Sequence, residues 1–232
     1  MTFGAAYIRG LTGFGMAIIL VPLFGLIVKP GDAVVIAILL QVLIGPVGLK
    51  VIYADAHRQS ALMIAAFAML ATPLGIWLLM HTSPDLARLM IAGIAIGAFV
   101  LVLLPQRGQL RPGPKETALT GIASGVLTGF AAMPGPPVVP FYLRQPIPPT
   151  EARASMMLVF FATAIAGTIS SFALGLANAR LLWLSLLLFP SVLAGNWLGA
   201  KSFGRVPPNV WRSFVAAVLG VAGLSAALRL LN

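Results

Sequence analysis

Long runs without a charged residue recur along this chain, and they constrain its fold more than any other feature. No Asp, Glu, Lys or Arg lies between Arg58 and Asp85, or between Arg153 and Arg180. An apolar run of about 17–25 residues is long enough for an α-helix to cross a bilayer. Charged residues make up only 9% of the 232 residues, and hydrophobic residues make up 59%. The chain is therefore predicted to be an all-α, polytopic membrane protein.

Hydropathy divides the chain into eight hydrophobic segments, arranged as two halves of four. The first half contains segments over residues 2–28, 33–53, 60–80 and 86–104, and the second over 117–143, 152–176, 181–203 and 210–231. A polar, basic stretch separates the halves. We predict a first repeat over residues 1–105, a linker over 106–116 and a second repeat over 117–232.

Short sequence matches connect the two halves. Leu11-Thr12-Gly13-Phe14 matches Leu127-Thr128-Gly129-Phe130, and Gly75-Ile76-Trp77 matches Gly195-Asn196-Trp197. Four matches in the same order predict an internal duplication, which is a common plan among transporters. The other two pair Gly31-Asp32-Ala33 with Thr150-Glu151-Ala152, and Pro84-Asp85-Leu86-Ala87-Arg88 with Pro208-Asn209-Val210-Trp211-Arg212.

Loop charges bear on how the repeats are oriented. If all eight segments crossed fully, the basic residues would divide evenly between the two faces, and the positive-inside rule would give no orientation. We favour an arrangement in which the first and fifth segments enter and leave on one face as broken hairpins, which makes the repeats inverted. The cytoplasmic face, with the linker, would then hold Lys50, Arg58, Arg107, Arg111, Lys115, Arg144, Arg153, Lys201, Arg205 and Arg212, and the opposite face Lys29, Arg88, Arg180 and Arg229.

The first and fifth segments contain residues that break helices, either to permit close helix packing or to form a binding site. In lipid, a broken backbone persists only where protein or water satisfies the freed polar groups. A half-helix that begins at such a break directs unpaired amides and partial positive charge toward it. We therefore predict a site for a small anion, held by backbone amides and threonine hydroxyls. Its candidate residues are Thr12, Gly13, Phe14, Gly15, Thr128, Gly129, Phe130, Gly135 and Pro136.

Further polar residues within or near the segments are candidates for the transport pathway. Arg9 lies in an apolar segment, so it either reaches the membrane interface or supplies charge to the anion site. Gln41 and Asn196 are candidates for lining the pathway. Asp32 and Glu151 begin their helices at equivalent positions, where the helix dipole stabilises a carboxylate. They are also the candidates for proton coupling, because no acidic residue falls inside a predicted segment.

The pattern resembles the TauE/SafE family of anion exporters. The resemblance rests on the repeated Thr-Gly-Phe sequence, on Gly135-Pro136-Pro137 followed by Pro140-Phe141-Tyr142, and on Glu151-Ala152-Arg153-Ala154-Ser155. It covers nearly the whole chain and implies export of sulfite, sulfoacetate or a related organosulfur or carboxylate anion across a bacterial inner membrane. The first repeat lacks the Gly-Pro-Pro sequence, so the two breaks are not expected to contribute equally.

We therefore predict a secondary transporter that exports a small anion by alternating access, with a passive anion channel or a carrier for a different small anion as alternatives. An enzyme is not expected, because the segments contain no Ser-His-acid set, carboxylate pair or metal cluster. No cofactor or metal is expected. The expected partners are the anion, protons as a candidate coupling ion, and membrane lipid. The scattered basic residues form no nucleic-acid surface, and the oligomeric state stays open, with a homodimer as one option.

Overall fold

The computed structural model describes residues 1–103 and 112–203. This part of the chain contains ten α-helices and no β-strand, which confirms the all-α prediction for those ranges. The predicted last segment, 210–231, and linker residues 106–111 lie outside the described residues. In chain order the helices are α1 (Thr2–Thr12), α2 (Met16–Gly25), α3 (Pro30–Ile44), α4 (Leu49–Asp55), α5 (Arg58–Met80), α6 (Pro84–Leu103), α7 (Pro114–Ala131), α8 (Gly135–Leu143), α9 (Pro149–Ala173) and α10 (Ala179–Lys201).

Four of these helices, α5, α6, α9 and α10, are long and apolar enough to cross a membrane. Helices α5 and α10 have 23 residues each, or about 35 Å at 1.5 Å per residue. Their outer surfaces are strongly apolar: Leu70 is 80% exposed, Trp183 71% and Leu187 77%. A soluble monomer rarely exposes so many large apolar side chains together. The chain is therefore a multi-pass membrane protein.

The hydrophobic segment predicted over residues 33–53 is bent into two helices, which together are long and apolar enough for one broken span. Helices α3 and α4 differ in direction by 84°. Pro46 has no amide hydrogen to continue the helix, and Gly48 takes a left-handed conformation with φ of 75°. The Phe161 ring of α9 fills the space that a side chain at Gly45 would need. These local features turn the chain where hydropathy alone indicated a straight helix.

The first and fifth segments are each divided into two helices. Residues 13–15 separate α1 from α2, and residues 132–134 separate α7 from α8. Left-handed backbone conformations turn the chain at both places, with φ of 87° at Gly13, 91° at Gly15 and 57° at Ala132. Glycine adopts such angles without steric cost, whereas alanine does not. The breaks lie at or directly after the predicted Thr-Gly-Phe sequences.

Glycines bring the broken segment of each half into backbone contact with a span of the other half. On α10, Gly195 and Gly199 lie against main-chain atoms of Phe3 and Tyr7 on α1. Helices α5 and α7 are joined in the same way, since small residues let membrane helices approach closely. In that pair, a side chain would collide with the opposing backbone at Gly75, Gly121, Gly125 and Gly129.

Both ends of the fifth segment lie near the start of α5, and the end of the first segment lies beyond the end of α5. A groove of about 340 Å³ is lined by Gly113 and Thr117 at the start of α7, by Gln145 after α8, and by His57 just before α5. The start of α7 and the end of α8 therefore both lie near the start of α5. Beyond the other end of α5, Arg88 Nε of α6 donates a hydrogen bond of 3.0 Å to the Gly25 carbonyl, at the end of α2.

Candidate anion-binding site

A small cavity lies where the two breaks meet. Its walls come from both breaks, from the start of α2 and from one residue each of α1, α3, α8 and α9. The space that water-sized spheres can occupy is about 20 Å³, enough for about one water molecule. The two breaks therefore face a common site, although 116 positions separate their Thr-Gly-Phe sequences. The lining residues are Arg9, Phe14, Gly15, Met16, Ala17, Ile18, Gln41, Met133, Pro134, Gly135 and Phe160.

The start of α2 lines this cavity and carries backbone amides without helical partners. Met16, Ala17 and Ile18 are its first three helical residues, and all three line the cavity. The first three amides of a helix have no carbonyl one turn back to bond. The first bond of this turn joins the Ile19 amide to the Gly15 carbonyl at 3.4 Å, and no side chain caps the helix. The start of α2 therefore has the arrangement of amides that binds anions in other proteins.

The start of α8 supplies fewer donors. Gly135, Pro136 and Pro137 are its first three residues, and the two prolines have no amide hydrogen. Gly135 lines the cavity together with Pro134 and Met133 from the turn. The second break therefore offers mainly a stiff, apolar wall, and the expected inequality of the two breaks has this physical cause.

Arg9 contributes a positive charge to the cavity wall. Its side chain is buried, at 6% exposure, and its Nη1 donates a hydrogen bond of 2.7 Å to Asn196 Oδ1 on α10. The two residues are 187 positions apart and belong to different halves of the chain. The side chain is therefore held inside the protein, and its contribution of charge to an anion site stays a prediction.

Gln41 of α3 holds the second break from the opposite half. Its Nε2 donates to the carbonyl of Ala132 at 3.1 Å and to that of Ala37 at 3.2 Å. Ala132 is the residue with the left-handed backbone, so this bond satisfies a carbonyl that the turn removes from the helix. Because Gln41 also lines the cavity, it links the shape of the site to the geometry of the break.

The two predicted threonines bond within their own segments. Thr12 Oγ1 lies 2.8 Å from the carbonyl oxygens of Ile8 and Phe14, to either of which it can donate, and it accepts a bond of 3.2 Å from the Phe14 amide. Thr128 Oγ1 donates to the Ser124 carbonyl at 2.7 Å. Both hydroxyls stabilise the ends of α1 and α7, and neither lines the cavity. Their role as donors to an anion stays a prediction.

The remaining predicted residues lie around this centre. Gly129 packs against the Thr72 carbonyl of α5, and Phe130 is buried in the core. Pro136 lines a neighbouring crevice that also includes Phe14 and Gly135. Gly13 lies against the side chain of Arg153, and Asn196 reaches the site through Arg9.

The two acidic candidates lie away from the cavity. Asp32 is in the first turn of α3 and Glu151 in the first turn of α9. Each is nine residues before a lining residue of its helix, Gln41 or Phe160, which is about 14 Å along the axis. Their proposed dipole interaction is compatible with these positions, whereas direct contact with an anion in this cavity is not. Among the described residues, no cluster of His, Asp or Glu could hold a metal ion.

Arg153 is a residue near the site that the sequence analysis did not assign to it. From α9, its Nη2 donates a hydrogen bond of 2.6 Å to the Gly10 carbonyl of α1. It thus satisfies one of the carbonyls left unpaired where α1 ends. The sequence gives no signal for this contact, because the partner of Arg153 is 143 positions away.

A multi-pass helical protein with an arginine and free helix amides at a cavity between two broken segments has the architecture of a membrane transporter. A family model described as "Sulfite exporter TauE/SafE" matches residues 1–226. The chain therefore belongs to the TauE/SafE family, which confirms the resemblance indicated by its motifs. Members of this family are exporters, so the prediction that the chain is not an enzyme is also confirmed.

One curated relative is similar along almost its entire length. It is a protein of Cupriavidus necator named "Probable sulfite/organosulfonate exporter TauE". The two chains are 26% identical over 234 residues, an alignment that covers 97% of this chain and 89% of the relative. No solved structure matches the chain.

Proposed function

We propose that this protein exports a small sulfur oxyanion or organosulfonate across a bacterial inner membrane by alternating access. The observation that carries the proposal is the cavity between the two breaks, where Arg9 and the first three residues of α2 line the same space. Sulfite and sulfonates present several acceptor oxygens and a negative charge, which amide and guanidinium donors bind well. The name of the Cupriavidus relative supports the same substrate class.

The proposed anion site is unequal. The amides of Met16, Ala17 and Ile18, with Arg9, bind the anion, while the second break and Phe160 form the opposing wall. Gln41 joins the two sides, because its amide group lies at the cavity and holds Ala132. A site of this kind can close around an anion when the second break approaches the first.

The proposed topology is an inverted repeat with two re-entrant segments. Support comes from the groove that contains residues from both ends of α7–α8 near the start of α5, and from the contact of Gly25 with Arg88 beyond the end of α5. The linker face, with most of the basic residues, is then cytoplasmic. Asp32 and Glu151 remain the proposed proton-coupling residues, acting at opposite faces.

The small size of the cavity favours a carrier over a passive channel. The space of about 20 Å³ holds about one water molecule, so an anion as large as sulfite or a sulfonate requires the walls to move. A site that changes shape for each anion is the basis of alternating access. A channel would instead conduct through a path that stays open.

Transport by the purified full chain in proteoliposomes tests this proposal. Efflux of sulfite or sulfoacetate should saturate with concentration and respond to an imposed pH gradient. Arg9→Gln should weaken anion binding about tenfold or more, since it removes a charge-assisted hydrogen-bond donor. Arg180→Gln, which removes an exposed basic residue, should have little effect. Flux that does not saturate would favour the channel, and unchanged affinity in the Arg9 variant would remove Arg9 from the site.

A further inference from the structure

Two arginines lie near the first break, and neither has an acidic partner within the described residues. All five acidic residues of the chain are described, and the ion pair found there joins Arg88 to Asp85. Arg153 bonds to the carbonyl of Gly10, the residue directly after Arg9, so the two arginines are neighbours. Like charges repel strongly where the dielectric constant is low, and buried charges are normally paired. This arrangement is favourable when an anion is bound.

The guanidinium group of Arg153 is only partly satisfied. Its Nη2 bonds to the Gly10 carbonyl, and its central carbon lies 4.8 Å from the centre of the Phe203 ring. Its Nε is buried and has no hydrogen-bond partner among the described residues. A buried donor without a partner is rare in proteins. The Gly10 carbonyl at the end of α1 therefore occupies the Nη2 group of Arg153, and the Nε–H group remains available as a donor.

The position of Arg153 along α9 places it between the groove and the cavity. Helix α9 begins at Pro149, directly after the groove residues Gln145 and Ile147. Phe160, seven residues after Arg153 on the same helix, lines the cavity, about 10 Å further along the axis. An anion that approaches the cavity from the groove face therefore passes the level of Arg153 first.

We propose that Arg153 is a second cationic group of the anion path and that it selects doubly charged over singly charged anions. The inference rests on the proposed anion transport. Arg9 and the α2 amides suffice for one sulfonate group, whereas a second negative charge on the ligand interacts favourably with both arginines. Sulfoacetate, which carries a sulfonate and a carboxylate, belongs to the favoured class. Isethionate is of similar size and carries a single charge, so it belongs to the other.

Isothermal titration of the purified full chain with sulfoacetate and isethionate, near neutral pH, tests this inference. Arg153→Gln should weaken sulfoacetate binding about tenfold or more and change isethionate binding by less than about twofold. Arg153→Lys retains the charge and should keep most of the preference for sulfoacetate. Arg9→Gln should weaken the binding of both sulfoacetate and isethionate.

The outcomes separate selection by charge from a purely structural role at the end of α1. If Arg153 only caps α1, Arg153→Gln will lower the unfolding temperature and weaken the binding of both ligands by the same factor. The Arg153→Lys variant will then not keep the preference for sulfoacetate. That result, or unchanged binding of both ligands, overturns the inference. If Arg9→Gln weakens binding and Arg153→Gln does not, the proposed function stands but the role inferred for Arg153 fails. If the wild-type chain binds neither ligand, the proposed function fails as well.

Discussion

At the scale of single residues, the bond between Arg9 and Asn196 has no equivalent in the other half of the protein. The repeated Thr-Gly-Phe and Gly-x-Trp sequences align Arg9 with Gly125 and Asn196 with Ile76. The interface between α5 and α7 contains buried polar residues such as Thr72 and Ser124 but no buried charge at this level, whereas that between α1 and α10 contains the buried Arg9. The two helix pairs thus differ by one buried charge, and anion binding is expected to depend on the α1 side.

Replacing Asn196 tests how Arg9 is oriented. Asn196→Leu removes the acceptor at 2.7 Å, and a hydrogen bond to a charged group contributes about 1.5–3 kcal/mol. We expect anion affinity to fall about tenfold or more, measured by titration with sulfite. Asn196→Asp gives Arg9 an intramolecular counter-ion, so it should weaken binding as well but unfold at a higher temperature than the Leu variant. Wild-type affinity in the Leu variant would contradict this role.

At the scale of helices, the two breaks reach left-handed geometry with different residues. Gly15 has φ of 91° and Ala132 has φ of 57°, and a side chain in this region costs about 1–2 kcal/mol. Glycine is therefore the better residue for both turns, although the chain uses it at only one of these two positions.

Substitutions at the breaks should consequently have opposite signs. We expect Gly15→Ala to lower the free energy of unfolding by about 1–2 kcal/mol, and Ala132→Gly to leave it unchanged or raise it by up to about 1 kcal/mol. As the control, Ala123→Gly on the exposed face of α7 should lower it by about 1 kcal/mol, because glycine weakens a helix interior. Thermal unfolding in detergent measures the order of the three variants. A loss of stability in Ala132→Gly as large as in the control would argue against strain at this turn.

The glycine contact between α5 and α7 is a second element-scale feature. A side chain at Gly75 would collide with the Val126 carbonyl, whereas nothing lies within 4 Å of a side chain at Gly93 on α6. Gly75→Val should therefore destabilise the protein by about 1–3 kcal/mol or more through overpacking, and Gly93→Val should be close to neutral. Size-exclusion profiles and unfolding temperatures compare the two. Equal behaviour of both variants would show that the two helices tolerate separation.

At the scale of the whole molecule, the inverted-repeat proposal predicts which loops share a face. Lys29 and Arg144 are exposed and follow the first and fifth segments, so re-entrant segments place them on opposite faces. The chain has no cysteine, and single Lys29→Cys and Arg144→Cys variants are therefore clean reporters. An impermeant thiol reagent should label Cys at 29 from the periplasm and Cys at 144 from the cytoplasm. Labelling of both from the same side would exclude the inverted arrangement.

Some features of the fold were predictable because they depend on local chemistry. The spans α5, α6, α9 and α10 follow from uncharged runs, and the two breaks follow from glycines and prolines. The interruption of the segment over 33–53 was missed, although Gly45-Pro46 and Gly48 are local signals, because its hydropathy stays high through the bend. The shortage of donors at α8 was also implicit in Pro136 and Pro137, but the prediction of backbone-amide donors at the breaks did not use it.

The amino-acid sequence by itself determined that this is a helical membrane protein with two broken segments, since apolar length and backbone chemistry are properties of neighbouring residues. Only the tertiary structure decided that both breaks line one cavity, that Asn196 accepts a hydrogen bond from Arg9, and that Gln41 and Arg153 each support the break of the opposite half. Helical periodicity defines which residues share a face of a helix, but it does not specify the partner of that face. The partners here are 91–187 positions apart, and close packing of the two halves brings them together.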